Sequence, residues 1–579
     1  MSPTDPNPAK LPEASAPGAE APEAMGARGQ ALAAPRQSVI RSSMVYAGLT
    51  LVSRFMGFLR DLVVGYRIGA SASAAGDAYN TALAFPNLFR RIFAEGAFAA
   101  AFVPAYAKSL EANGEEVADK LAADAMATLA AATIGITLIF DLSMPWVMHL
   151  INPGYTGMKY KLSVILTQIS MPYLPCMAIV AHLSGVLNAR GRFILSAAAP
   201  TLLNLMMLAF ILPQKDPVSA AVWASWGTLA AGVAQAGLLT WGVKLSGAQV
   251  HWRLPTLTPE VKQLIKLAIP GAIAASATQI NIFVSGILAS QVNGARSWLA
   301  TADRLYQLPL GLVGVAIGVA LLPKLSRSVQ AKDEQGAQDA LDEAITFAMA
   351  LTLPAAAALA AMPFYLIDGL FTRGEFHAYD AQQTAAALFF YGIGTPAFVL
   401  TRILAPAFFA RQDTASPMRF ALISVAVNIA AGIGLFQVIG FQGIAAGTAI
   451  ASWLTVVQML AALSRRKQYR LGAHAASRLI RVGLAAAVMG GLLWAAQTWR
   501  YAYVQPLFEG LRVNLFGRNI GGAKELSLAA VSLAGGVSYF LLLFGLGGVK
   551  LSELKRALRR GGAPAEAAMG KTPAGPDLL

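Results

Sequence analysis

From Ser42 to Gly547 the chain offers apolar stretches of about 20 to 33 residues in close succession, and this constrains its fold more than any other feature. A helix rises about 1.5 Å per residue and a bilayer's hydrocarbon is about 30 Å thick, so each stretch is long enough to cross it. The stretches are 42–66, 75–107, 122–150, 161–188, 194–213, 218–243, 262–290, 297–325, 342–370, 385–410, 416–438, 442–464, 478–498 and 526–547. Only 13% of the residues are charged, about half the share of a soluble domain. A soluble chain of 579 residues would divide into several domains, each needing its own polar shell. No residues here supply those shells. The composition equally excludes a disordered chain, a disulfide-built secreted module and a fibrous repeat.

The formal charge of +15 would suggest nucleic acid in a soluble protein. Here the cations lie mostly in short loops between apolar stretches, where they set topology. Fourteen crossings put both termini on one side. Taking that side as the cytoplasm collects the largest clusters inside: Arg465, Arg466, Lys467, Arg470, Arg478 and Arg481, and the tail from Lys550 to Arg560. The exception is the outer loop 499–525, with Arg500, Arg512, Arg518 and Lys524, which is expected to be an amphipathic surface segment. The Pro- and Ala-rich residues 1–37 lack an apolar core and read as a disordered cytoplasmic tail, not a signal peptide.

The chain repeats itself. VLNARGRFILSAAAPTLLNL (186–205) resembles AFFARQDTASPMRFALISVAVNI (407–429), and AFVPAYAKSL (101–110) resembles ALLPKLSRSV (320–329). Arg190 aligns with Arg411 and Pro104 with Pro323, at nearly one offset. The expected fold is therefore all-α: a polytopic membrane protein of about 14 transmembrane helices. Two six-helix lobes, 38–243 and 244–464, are related by a pseudo-twofold axis along the membrane normal. Two appended helices follow in 465–548, then a basic cytoplasmic tail, 549–579. Transporters are often duplicated in this way, with the substrate site where the repeats meet.

Ionisable groups deep in such helices cost at least about 2.5 kcal/mol each, so they line wet cavities or pair together. The first helix carries Arg54, Arg60 and Asp61; the second Asp77, Arg90, Arg91 and Glu95; the eighth Asp303 and Arg304; the tenth Arg402. Arg91–Glu95 is an i,i+4 pair, and it and Asp303 are expected to serve internal salt bridges. Six arginines oppose four acids, leaving two positive charges. All these cations are Arg, which stays protonated when buried and holds phosphate bidentately. Arg54, Arg60 and Arg304 are the expected ligands of a phosphate or diphosphate headgroup. The matching segment of the second repeat, AIAASATQINIF, has no charge, so the first lobe carries most of this work. Gly57, Pro86, Gly96, Pro309 and Gly311 are expected to serve bending or close packing, with Gly57 making room beside Arg54. Asp141 and Asp368 fall near outer span ends, within reach of water.

No metal site is expected: Cys176 is the only cysteine and the five histidines are scattered. No Walker motif, nucleophile elbow or HExxH is present, and no cofactor is expected.

The segments SRFMGFLRD, GDAYNTALAFPNLFRRIFAEGAFAAAFVP, ADRLYQLPLGLVGVAIGVALLPKLSR and LAPAFFARQD resemble the MurJ (MviN) family of lipid II flippases, over about residues 40 to 560. The resemblance implies the fold of the multidrug/oligosaccharidyl-lipid/polysaccharide exporter superfamily. It also implies transfer of undecaprenyl-diphosphate-linked peptidoglycan precursor between leaflets of the bacterial inner membrane. The family's cavity charges fall on Arg54, Arg60, Asp77, Arg90 and Arg304, and its lipid-tail groove on 478–498 and 526–547. Asp61, Arg91, Glu95, Asp303 and Arg402 would then be supporting or ion-paired. Lipid II and membrane lipids are the implied partners, with cell-wall synthesis proteins beside them and no nucleic acid. Some relatives use a sodium site in the second half. Asn281 and Asn428 are the nearest polar residues here and have no carboxylate beside them, so membrane potential and a monovalent cation both stay open as couplings.

The rivals are a flippase for another lipid-linked oligosaccharide, a cation-coupled drug exporter, a membrane enzyme on prenyl phosphates and a noncatalytic scaffold. The exporter would want an acidic cavity, and the enzyme clustered acids for Mg²⁺.

Overall fold

The computed structural model describes residues 36–89, 98–511, 513–515 and 518–548. The expected tails, and Arg90, Arg91, Glu95 and Gly96, lie outside them.

All but a few of these residues are helical. The first lobe comprises α1 (Arg36–Ile68), α2 (Ala75–Phe89), α3 (Phe98–Ile151), α4 (Gly157–Ser170), α5 (Tyr173–Ala189), α6 (Phe193–Ile211) and α7 (Pro217–Leu245). The second comprises α8 (Pro259–Ser290), α9 (Ala295–Gln330), α10 (Glu334–Ala361), α11 (Pro363–Phe371), α12 (Ala378–Phe409), α13 (Ala415–Ile439) and α14 (Gln442–Arg465). Then come α15 (Ala473–Thr498) and α16 (Ala523–Gly545). Helix α3 joins two helices across Gly114, whose φ of 83° and ψ of 177° are not helical. Two of the anticipated spans are each split in two, with Pro172 just before α5 and Pro363 as the first residue of α11, places where proline's missing N–H is tolerated.

Nine helices among the described residues are long and apolar enough to cross a membrane by themselves. Helix α1, which carries Arg54, Arg60 and Asp61, is not among them.

The lobes repeat beyond the two sequence matches. Helices α2 and α9 begin at Ala75 and Ala295, and α4 and α12 at Gly157 and Ala378, so the offset near 220 holds through the whole lobe. The segments that leave the lobes repeat as well. Asp119 Oδ2 accepts from Gln249 N at 2.6 Å, and Asp342 Oδ2 from Gly472 N at 3.2 Å, each tying down the chain that leaves its lobe. Arg190 joins the first of these ties through Asp119 (2.9 Å) and Tyr106 Oη (2.8 Å) and also reaches the Ser246 carbonyl (3.4 Å). Arg411 reaches the Gln468 carbonyl (3.4 Å) on the chain leaving the second lobe as well as the Ala407 carbonyl (2.8 Å).

Within the first lobe α6 packs on α1 and α7, and α5 on α3 and α7. Within the second, α12 packs on α9, α10, α11 and α14. Helix α8 touches α3 as well as α13, α2 meets α9, and α15 and α16 lean on the second lobe through α10 and α11.

The loop 499–525, expected to be an amphipathic surface segment, is locally ordered. It forms a π turn (Arg500–Val504), a 3-10 turn (Gln505–Phe508) and a short hairpin of β1 (Val513–Leu515) and β2 (Arg518–Gly521). Arg500 and Lys524 both reach Asp368, at 2.7 and 2.8 Å, and Arg373 pairs with Glu525 at 2.7 Å. Asp368 is therefore buried rather than water-facing. Its carboxylate pairs with two of the cations of the loop 499–525.

Candidate functional site

Three arginines converge where the two lobes meet. Arg60, on a buried turn of α1, gives its Nε (3.0 Å) and Nη2 (2.7 Å) to Asp61 Oδ1 and its Nη1 to Asn204 Oδ1 on α6 (3.0 Å). Asp61 turns its other oxygen to Arg304 Nε on α9, 3.3 Å away. One carboxylate thus holds a cation from each lobe. The two are unlike: the Arg60 side chain is 7% exposed, that of Arg304 45%. Arg60 is committed to its neighbours, while Arg304 keeps most of its fork for something else.

Arg54, one and a half turns before Arg60, is exposed and forms no ion pair among the described residues. Its guanidinium lies against α9 at Gly311, where any Cβ would overlap Nη1. Gly57 was expected to provide that space, but it faces Asn204 at ordinary contact distance. Gly311 makes the room instead. Pro86 lies inside α2, and Pro309 in α9 beside Gly311.

Asp303 accepts from Gln307 on its own helix. Arg402 is exposed on α12, and Tyr306, near Asp303, packs at a tilt against Tyr391 (5.0 Å) and Phe398 (4.9 Å). Among the described residues, Arg54, Arg60, Arg304 and Arg402 oppose Asp61 and Asp303, leaving two positive charges. Such an excess, with Arg54 and Arg304 accessible, suits a multiply charged anion.

Asp77 does not belong to this group, contrary to its expected place in the cavity. Its side chain is fully enclosed. Oδ2 takes Lys159 Nζ (2.8 Å) and Gly294 N (2.7 Å), and Oδ1 takes Ser297 N (3.1 Å) and Oγ (3.0 Å). Asp77 therefore caps the N-terminus of α9 from the opposite lobe, where free amides and the helix dipole favour an anion. Arg296 adds a bond to Thr81 on α2. These contacts join the lobes at the start of α9. Lys159, Asn204, Gly294 and Ser297 were not anticipated. Only the repeat pointed to Ser297, which lies 220 residues beyond Asp77.

Two pseudo-symmetric helical lobes meeting at a charged interface define a polytopic transporter of the exporter superfamily named above. Solved structures agree on the fold. A lipid II flippase MurJ in its inward closed conformation superposes with a TM-score of 0.69 at 22% identity, over 86% of this chain and 98% of its own. An inward-facing multidrug transporter of the MATE family gives 0.62 at 15% identity, over 73% and 98%. The family model described as lipid II flippase MurJ matches residues 66–509, and the chain belongs to that family. A probable lipid II flippase MurJ of Rhizobium tropici is 39% identical over 531 residues, 90% of this chain and 97% of its own. The lipid II flippase MurJ of Burkholderia cenocepacia is 32% identical over 490 residues, 81% and 93%. The protein is a multi-pass membrane protein.

Proposed function

We propose that this chain carries lipid II, the undecaprenyl-diphosphate-linked peptidoglycan precursor, from the inner to the outer leaflet of the bacterial inner membrane, both termini facing the cytoplasm. One observation carries the reading: Arg54 and Arg304 reach the interface from opposite lobes with open guanidinium groups, and the surrounding acids fall short by two charges. A diphosphate entering between the lobes would replace lost hydration with bidentate, permanently charged donors. The prenyl chain would stay in lipid along α15 and α16.

On this orientation the contacts of Asp77 join α2 to the start of α9 at the outer side. Release outward requires parting α2 from α9, so the chain acts by alternating access and not as an enzyme. The inside-negative membrane potential, about 2.3 kcal/mol per charge per 100 mV, would favour outward passage of the anion; a monovalent cation is the other candidate coupling.

The test is leaflet transfer in vesicles containing purified protein and lipid II, scored by accessibility at the far leaflet. Wild-type chain should transfer it, and Arg304→Ala should reduce transfer at least about tenfold while inserting normally. Equal transfer by both would refute the arginine site. Depletion in cells should remove lipid II from the outer leaflet.

A further inference from the structure

The outer seal is built twice, once by each lobe. Gly154, in the turn after α3, sits so close to the end of α8 that a Cβ there would overlap the Ser290 carbonyl. Gly374, 220 residues later in the turn after α11, meets the Tyr66 carbonyl at the end of α1 in the same way. The next pair also repeats. Lys159, in the first turn of α4, reaches Asn293 in the loop ahead of α9. Asp380, 221 residues on in the first turn of α12, takes the amide of Ser71 (3.2 Å) and its hydroxyl in the loop ahead of α2. Each lobe clasps the other with the same two elements.

Asp380 is fully buried. Besides Ser71, its Oδ1 accepts from Trp298 Nε1 (2.8 Å) and its Oδ2 from His377 N (3.0 Å). Trp298 follows Ser297, which Asp77 holds, so two carboxylates grip adjacent residues in the first turn of α9. Their surroundings differ. Asp77 carries an ion pair with Lys159, whereas Asp380 is held by neutral donors alone among the described residues. A buried carboxylate without a counter-charge is stabilised only while its donors stay in place. Parting the lobes removes Ser71 from Asp380 and admits water to it.

We infer that Asp380 is a gating residue, the counterpart of the Asp77–Lys159 clasp, which holds the outer face shut through Ser71 and must release it for outward opening, while Trp298 of its own lobe fixes the carboxylate in place. The inference rests on the transport reading, but its test needs no substrate. In a Cys176→Ser background, Thr301→Cys places a thiol one turn inward of Ser297 on the same face of α9. A membrane-impermeant maleimide is then applied from the outer side of intact cells.

Asp380→Asn weakens the acceptor that these donors share and should raise the labelling rate on the order of tenfold. Ser71→Ala should raise it in the same direction by less, and it decides the matter if Asp380→Asn is not recovered in the membrane. Unchanged outer labelling in Ser71→Ala, or in a well-inserted Asp380→Asn, overturns the gate whatever happens to lipid transfer. Raised labelling in a parent that moves no lipid II would uphold the gate and sink the proposed substrate instead.

Discussion

Asp77 and Ser297 stand at equivalent positions of the two lobes, 220 residues apart, and bond to each other: Asp77 Oδ1 accepts from the Ser297 amide at 3.1 Å and its hydroxyl at 3.0 Å. The pseudo-twofold axis therefore passes close to this contact. A carboxylate there satisfies amides at the N-terminus of α9, which has no side-chain cap of its own.

Asp77→Ala strands Lys159 and three donors in a buried place, and removing one partner of a buried pair costs about 3–5 kcal/mol. The melting temperature of the detergent-solubilised protein should fall by several degrees. Lys159→Met should then add little further loss, because the two residues share one interaction. Additive losses in that double-mutant cycle would contradict a shared clasp.

Asp61 and Arg304 touch, yet their replacements should differ in kind. Asp61→Asn leaves Arg60 buried without its anion and should lower thermal stability by about 3 kcal/mol. Arg304→Ala removes a half-exposed partner and should cost less than about 1 kcal/mol of stability while suppressing lipid transfer. Parallel melting and transfer assays separate the two outcomes.

Alanine at Gly311 and at Gly154 should also part ways. At Gly311 the obstacle is the tip of the flexible Arg54 side chain, which swings aside. Stability should hold, and transfer should drop several-fold as the guanidinium leaves its place. At Gly154 the obstacle is the Ser290 backbone, so the outer seal itself must shift and melting should begin several degrees lower.

Asp368→Asn takes the anion from Arg500, whose side chain is 2% exposed. The segment 499–511, which Arg500 ties to α11, should loosen. Limited proteolysis from the outer side should cut it at least a few-fold faster than in wild type. The bundle of α1 to α14 should remain resistant.

Asp413, in the loop between α12 and α13, is held well below the usual carboxylate range, first by the Ser416 hydroxyl and then by Arg466 and the Ser416 amide. A depressed folded value means its contribution is complete above the unfolded value near 4 and is lost as pH falls through the folded one. Asp413→Asn should therefore flatten the decline in melting temperature below about pH 4 and change little at pH 7. An unaltered acid limb in the variant would count against that bond.

By itself the sequence determined that the chain is helical, duplicated and membrane-embedded, because length and apolarity suffice when every backbone group must be satisfied within its own helix. It also marked Arg54, Arg60, Asp61 and Arg304, since charge amid apolar residues is conspicuous. What it left undecided were partners. Whether Asp77 lines a chamber or caps α9, and whether Asp368 faces water or Arg500, depends on which helices become neighbours. Lys159 and Asp380 lie at span ends, where a charge looks like ordinary solvation until the opposite lobe is placed beside it. Hydrogen bonds and ion pairs act over about 3 Å, and residues more than 200 positions apart come within that reach only once the lobes are packed. Tertiary structure alone distinguished the arginines that stay open from those already paired.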